Sequence, residues 1–570
     1  MAGITDPYRL RRSTYAANRP RARTAMKAGK ILPENSASPL RDVLARRALA
    51  EIPRLLTLQD RTPVSPTYGS FDRMWWHYRV MDFPTGMSQK EVLPLALAWS
   101  LDIPGNPYFR QPEIRNWIEA GIRFAARASH PDGSCDDYYP FERAAGAAAF
   151  SLIAFLDASE IIGLHGDPEI DAFLKLRANW LATHAESGRL SNHEALIAAC
   201  LQRMLERFGD EWEAPFRKRL GRLLSWQHRE GWFAEYEGAD PGYTTLTIAL
   251  LADLDRRRPE LGLRDPCERA IRFIHSMLHP DGTLGGEYTS RCTLNFFVHG
   301  FEIAGSWCPL GLAINDAALP ILARGENPAV ADDRIFGHHV TSWLMAWKEW
   351  QAERPGPSPL PDGRVIYQDA KLLIEGRGDQ RLYLGWSHGG AFRLFDKGRL
   401  LLADTGPTLA MKSGRVAVTH LEAENKVELG ADRIVIEGQM AWAKSALLTP
   451  VKSIIFRALM ITVGRWFPDL IRRLLQRMLV TGRKPAPFRF RRILEWQAGR
   501  WTLKDEVIPE NGWDEVAQAG IGGFQCSMTT VVARVWQPAQ LQPWLDLTPA
   551  TSRLGAQESL TLDRVPEFVA

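Results

Sequence analysis

The chain has 570 residues, 45% of them apolar and 24% charged, with a net charge of +4. That balance excludes a highly charged disordered chain, and the length calls for two or more domains. No uninterrupted apolar run of about 18 residues occurs, so no simple membrane span is expected.

The first segment, 1–39, reads as a basic, flexible tail, since residues 1–30 carry eight Lys/Arg against Asp6 alone. It has the charge of a secretory n-region, but no apolar stretch follows, so no signal peptide is read. On sequence alone the protein is therefore placed in the cytoplasm or at the inner membrane. A second basic stretch, 452–492, holds eleven Lys/Arg against Asp469, so the remainder of the chain is acidic. No nucleic-acid-binding motif accompanies either segment, and nucleic acid is not an expected partner.

From 40 to 352 the pattern is helical. In segments such as 144–164, 170–185, 193–208 and 244–257, apolar residues recur at three- and four-residue steps. The punctuation between helices recurs as well: HPDGSCDDYYP begins at His130, HAESGRLSNHE at His184, HREGWFAEYEG at His228 and HPDGTLGGEYTS at His279. The steps of 54, 44 and 51 residues match one helical hairpin with its loops, which is how a helical array shows itself. If the array closes into an α/α toroid, the four loops share one rim, and that rim is the candidate site. The six cysteines show neither CxxC spacing nor disulfide-scaffold density and read as small buried residues.

A breaker-rich linker, 353–364, precedes a change of period to two. Residues 365–570 read as an antiparallel β-sandwich, so the expected class is α+β multidomain. Within it, 442–484 reads as two amphipathic helices interrupted at Pro468. This helical insertion either packs on the sandwich with a solvated basic face or makes a peripheral contact, through 442–492, with a membrane or an anionic glycan.

The Asn-His pair of SNHEAL (Asn192, His193), the tyrosine of EYEGADPGYTTLT 51 residues later (Tyr243) and the following sandwich together resemble the heparinase II/III-like and alginate-lyase group of polysaccharide lyases. The loops GADPGY, DGSCDDYYPFER and DGTLGGEYTSR resemble heparinase-like proteins of bacterial exopolysaccharide gene clusters more than the degradative lyases. The resemblance implies a toroid with a C-terminal sandwich, β-elimination on a uronate-containing acidic polysaccharide, no cofactor, and a periplasmic setting. It implies catalytic roles for Tyr243, Asn192, His193 and His388, and substrate contacts for Arg291, Glu142, Tyr139, Glu287 and Tyr288.

The chemistry explains those residue types. Removing the C5 proton of a uronate builds negative charge beside a carboxylate, so Asn192, with His193 or an arginine, would stabilise the enolate-like state. Tyr243 would protonate the leaving oxygen, and could also take the C5 proton if Arg291 lowered its pKa. Each residue has a plainer alternative: Asn192 as a helix N-cap, His193 as a surface histidine, Tyr243 as a core tyrosine, and Arg291 as the ion-pair partner of Glu287. In the sandwich the two histidine positions of the family fall on Leu384 and Trp386, and His388 lies two residues beyond. The metal ligands of some relatives would correspond to His388, Asp404 and His420, an incomplete set, so no tightly bound metal is expected. Two other readings stay open: a glycan-binding or assembly protein without chemistry, and a hydrolase using Asp137, Glu142, Glu235 or Asp240.

Overall fold

The helical period of the N-terminal half resolves into a double ring. The computed structural model describes residues 40–184, 188–236, 238–443, 448–476, 483–526, 532–536 and 544–567; the basic tail 1–39 lies outside the described residues. Twelve helices among the described residues build the ring: α1 (Leu40–Leu58), α2 (Val92–Ser100), α3 (Pro112–Ala128), α4 (Ala145–Ile161), α5 (Pro168–Thr183), α6 (Ser191–Phe208), α7 (Glu213–Ser225), α8 (Pro241–Arg257), α9 (Arg264–Met277), α10 (His299–Ala304), α11 (Pro309–Arg324) and α12 (Phe336–Lys348). The even-numbered helices form the inner ring, each packing on the next, and α12 returns to α2. The odd-numbered helices lie outside, and α1 closes the last hairpin against α12.

Sequence decides which helix goes inside. Inner α4 is alanine-rich and buried nearly all round, and every residue of α8 from Pro241 to Asp255 is buried. Outer helices such as α3 and α9 carry one apolar stripe and a charged face. Proline at the first turn starts α3, α5, α8 and α11, where its missing N–H costs nothing.

Three of the repeated loops open on the same turn. The N–H groups of His130, His228 and His279 donate to the carbonyls of Ser134, Trp232 and Thr283, and Gly133, Gly231 and Gly282 donate back to the histidine carbonyls. Those glycines have φ of 84°, 100° and 84°, and a Cβ there would run into the backbone of a neighbouring helix. Residues 185–187 of the loop after His184 lie outside the described residues.

Beyond the ring the strands are antiparallel throughout. β1 (Ala234–Glu235) and β2 (Gly238–Ala239) make a small hairpin on the rim. A five-stranded meander follows: β3 (Gly363–Tyr367), β4 (Leu372–Arg377), β5 (Gln380–Gly385), β6 (Ala391–Asp396) and β7 (Arg399–Asp404). A second sheet has the order β15-β14-β8-β9-β11-β12-β13-β16, with β10 paired to β11. Its strands are β8 (Pro407–Met411), β9 (Val416–Val418), β10 (Lys426–Leu429), β11 (Arg433–Trp442), β12 (Pro485–Gln497), β13 (Arg500–Pro509), β14 (Val516–Ile521), β15 (Leu545–Asp546) and β16 (Leu560–Arg564).

The meander is buried on both faces. Leu373, Leu382, Leu384, Phe392 and Leu394 pack with the second sheet, while Leu372, Ile374, Tyr383, Ala391 and Phe395 belong to the ring's core. The two faces therefore fix the sandwich against the toroid. Within 365–570, read from the sequence as sandwich, Val532–Trp536 turn and bend and form no strand, and 527–531 lie outside the described residues. The insertion between β11 and β12 holds α13 (Pro450–Leu459), one π-type turn (Met460–Gly464) and α14 (Pro468–Gln476), with Pro468 opening the second helix.

Candidate active site

The rim loops bring Asn192, Glu235, Tyr236, Tyr243 and Arg291 together. Asn192 is the second residue of α6, completely buried, and not the N-cap, a position held by Leu190. Its backbone N–H donates to Glu235 Oε1 at 2.9 Å, and its Nδ2 lies 2.7 and 2.8 Å from the two carboxylate oxygens. Glu235, on β1, accepts at Oε2 from Arg291 Nη1 at 3.0 Å. Burial raises the Glu235 pKa, while Arg291 and Asn192 pull it down.

The Arg291 guanidinium lies 4.4 Å from the centre of the Tyr243 ring and 4.9 Å from that of Tyr236. One cation is thus clasped by two phenols and anchored from behind by a carboxylate. Tyr243 is buried in the first turn of α8, with its N–H on the N-cap Asp240. Burial raises its pKa, and the opposing pull of Arg291 is the smaller effect. Burial thus favours the neutral phenol here, whereas the phenolate role expected from the sequence would need the pull of Arg291 to outweigh burial.

Asp240 is fully buried and holds the loops together. It accepts from Tyr243 N–H, from Thr293 Oγ1 at 2.5 Å and from Thr289 Oγ1 at 3.3 Å, so the loop before α8 and the loop after α9 share one anchor. The His193 ring lies on α4, where a Cβ on Gly146 would come within 2.6 Å of it. It is also near enough to Glu235 to influence that carboxylate electrostatically. Tyr236 sits at a φ of 59°, and Phe141, Arg143 and Cys292 in the other rim loops are likewise left-handed.

Two expected substrate contacts are placed elsewhere. Glu287 does not pair with Arg291; it accepts from Arg393 of β6 at 3.0 Å, with both side chains buried. Tyr288 is 1% exposed and bonds His279 Nε2 at 2.8 Å. Both residues join the ring to the sandwich, which leaves no surface for a substrate.

Glu142 and Tyr139 lie in the loop before α4, beneath the insertion. Glu142 Oε2 accepts the N–H groups of Tyr138 and Asp137, and Oε1 lies 3.6 Å from Arg472. Burial first, then the neighbouring Asp137, pushes its pKa up to about 7. Tyr139 stacks edge-on against Phe456 of α13 at 5.3 Å.

His388 belongs to the turn after β5. It is 5% exposed, its Nδ1 lies 3.0 Å from Ser387 Oγ, and burial lowers its pKa to about 4. Leu384 and Trp386, the two family histidine positions, are core residues between the sheets. The set considered for a metal does not fit one: Asp404 is taken by Arg492 at 2.7 Å, Arg564 at 2.6 Å and Gly406 N–H. A different sandwich segment reaches the rim, since a Cβ on Gly238 would meet Ser290 at 2.9 Å and Glu422 at 3.6 Å.

The sequence reading missed Glu235 as an anchor and Tyr236 as the second ring on Arg291. The available signal was EYEGADPGY itself, a short acidic-aromatic hairpin directly ahead of Tyr243.

No protein-family model matches the chain, and no curated protein matches it. In structure it is similar to the chondroitin AC lyase of Streptomyces coelicolor A3 in complex with chondroitin sulphate, at 11% identity over 86% of this chain and 69% of that one, with a TM-score of 0.47. It is also similar to a Paenibacillus xanthan lyase, at 10% identity, 86% and 47% coverage and a TM-score of 0.47. A third is a heparan sulfate lyase mutant from Pedobacter heparinus, at 14% identity, 87% and 72% coverage and a TM-score of 0.39. The chain thus spans less than half the length of the xanthan lyase.

Proposed function

We propose that the protein is a polysaccharide lyase that cleaves a uronate-containing acidic polysaccharide by β-elimination. The observation that carries this reading is the clasp of Arg291 against the Tyr243 ring, with Glu235 and Asn192 behind it. Elimination from a uronate needs a fixed cation for the carboxylate and a neutral acid for the leaving oxygen. Arg291 and Tyr243 supply these side by side.

The assignment differs from the sequence expectation in three respects: the donor to the carboxylate, the acceptor of the C5 proton and the place of His388. The Asn192 amide is committed to Glu235, so Arg291 is the donor to the substrate carboxylate and Asn192 acts through Glu235 as a positioning residue. His193, beside Glu235, accepts the C5 proton. The electron pair of the broken C5–H bond forms the C4–C5 double bond as the C4–O bond breaks, and Tyr243 protonates the departing oxygen. His388 has no step in this scheme.

The hydrolase reading is weaker because every candidate rim acid is already held. Arg334 binds Asp137, Arg472 and two N–H groups hold Glu142, Arg291 holds Glu235, and Asp240 caps α8. A glycan-binding role without chemistry would use the same clasp and differs only in turnover. Incubation with a panel of acidic polysaccharides, bacterial exopolysaccharides first, tests the proposal through the ultraviolet absorbance of the unsaturated uronate product. Reducing ends without that absorbance would assign a hydrolase, and binding with neither product would assign a binding protein.

A further inference from the structure

Almost half of the exposed large apolar side chains among the described residues fall between Leu448 and Leu474, in the insertion. Ile454 is 70% exposed, Trp466 72% and Phe467 60%, and the two aromatics sit at the break between α13 and α14. A patch of this kind on a folded domain marks an interaction surface.

The charges of the insertion divide by direction. Arg457 and Arg472 face the ring, where they pair with Asp82 at 3.1 Å and Glu142 at 3.6 Å, and Phe456 stacks on Tyr139. These contacts hold the insertion down. Lys452, Arg465 and Arg473 are exposed around the apolar face, as are Arg483 and Lys484 where the chain returns to β12. Asp469 is the one acidic residue between 448 and 476.

We infer that this surface docks the protein peripherally on a bilayer of anionic lipid, with Trp466, Phe467 and the apolar faces of α13 and α14 in the headgroup region and the flanking Lys and Arg on the lipid charges. Charge decides between the occupants of such a face. A second copy packed symmetrically would bring Lys452, Arg465 and Arg473 of both chains together with little acid to offset them, whereas an anionic surface satisfies both the apolar face and its cationic rim. The helices are ten and nine residues long, and no helix among the described residues is long and apolar enough to cross a membrane, so the contact is interfacial. Because Phe456 and Arg472 grip the loop of Tyr139 and Glu142, docking would hold the rim of the ring beside the bilayer. The inference does not depend on the elimination chemistry.

The test is co-sedimentation of the full chain with vesicles of phosphatidylcholine alone and of phosphatidylcholine with phosphatidylglycerol. Binding is expected to the anionic vesicles, to weaken with salt, and to fall by roughly tenfold or more in Trp466→Ser/Phe467→Ser. Lys452→Glu/Arg473→Glu should remove the preference for anionic lipid, with both variants keeping the wild-type unfolding midpoint. Equal binding of wild type and Trp466→Ser/Phe467→Ser, as the basic tail alone would give, would overturn the inference. So would absence of vesicle binding together with a dimer in light scattering that the same variant dissociates.

Discussion

At the scale of single residues, a relay orders the site: Asn192 fixes Glu235, Glu235 fixes Arg291, and Arg291 lies on Tyr243. Tyr243→Phe removes the proton donor and little else. Turnover should fall about 10²–10⁴-fold with glycan affinity nearly unchanged, as read from initial rates and calorimetric titration. Asn192→Ala should behave differently. It leaves a buried carboxylate short of two donors and should cost about 1–3 kcal/mol in denaturant unfolding, along with weaker substrate binding as Arg291 loosens. An Asn192→Ala protein of unchanged stability would show that the relay is not structural.

The burial of His388 gives a pH prediction with a definite sign. Its imidazole is held neutral in the fold, with a pKa lowered from 6.5 to about 4, and that of neighbouring His420 is lowered to about 3. A group that the fold keeps deprotonated contributes stability that is present above pH 6.5 and is lost as the pH falls towards the folded value. Unfolding free energy should therefore drop between pH 6.5 and 4, by an amount on the order of 3 kcal/mol for His388 alone. His388→Gln should flatten that part of the profile; an unchanged slope would contradict the assignment.

At the scale of elements, the repeated turn explains why the loops were visible in the sequence. His130, His228 and His279 head the same hydrogen-bonded turn, so a spacing in the sequence became a spacing in the ring. Gly282→Ala would place a Cβ 2.3 Å from the Ala317 carbonyl at a left-handed φ. It should cost well over about 1 kcal/mol by thermal or denaturant unfolding, more than an ordinary surface Gly→Ala change. The strands with alternating runs were legible too, as were both insertion helices and Pro468 between them. The short β8 and β9 were not, because PTLAM and VAV carry too few residues for a period to show.

Partners across the chain were the least legible feature. Sequence proximity suggested Glu287 for Arg291, but the fold gives Glu287 to Arg393, 106 residues away, and Glu235 to Arg291. Asn192 and Tyr243 could be picked out through the family resemblance of their motifs, and Arg291 because it lies in the next repeated loop. Which of them donates to the substrate depends on Glu235, whose role only the packed rim reveals.

At the scale of the whole molecule, ring and sandwich are joined by buried polar contacts on the meander's inner face: Glu287 with Arg393, and the Tyr383 hydroxyl on the Leu278 carbonyl at 2.5 Å. Breaking the ion pair leaves a guanidinium buried without its partner. Glu287→Ala should then cost about 3–5 kcal/mol of stability, measured by denaturant unfolding. A loss of less than about 1 kcal/mol would mean that this ion pair contributes little to the joint. The same joint brings the loop of Glu422 to Gly238 and Ser290, so the sandwich forms one wall of the rim that carries the clasp.

Elimination at the rim is decided by the ultraviolet absorbance of wild type and Tyr243→Phe incubated with acidic polysaccharides. Wild type should raise the absorbance on at least one uronate polymer, and the variant should not, while still binding that polymer. Cleavage that yields reducing ends without the chromophore, or a variant that turns over like wild type, would contradict elimination through Tyr243.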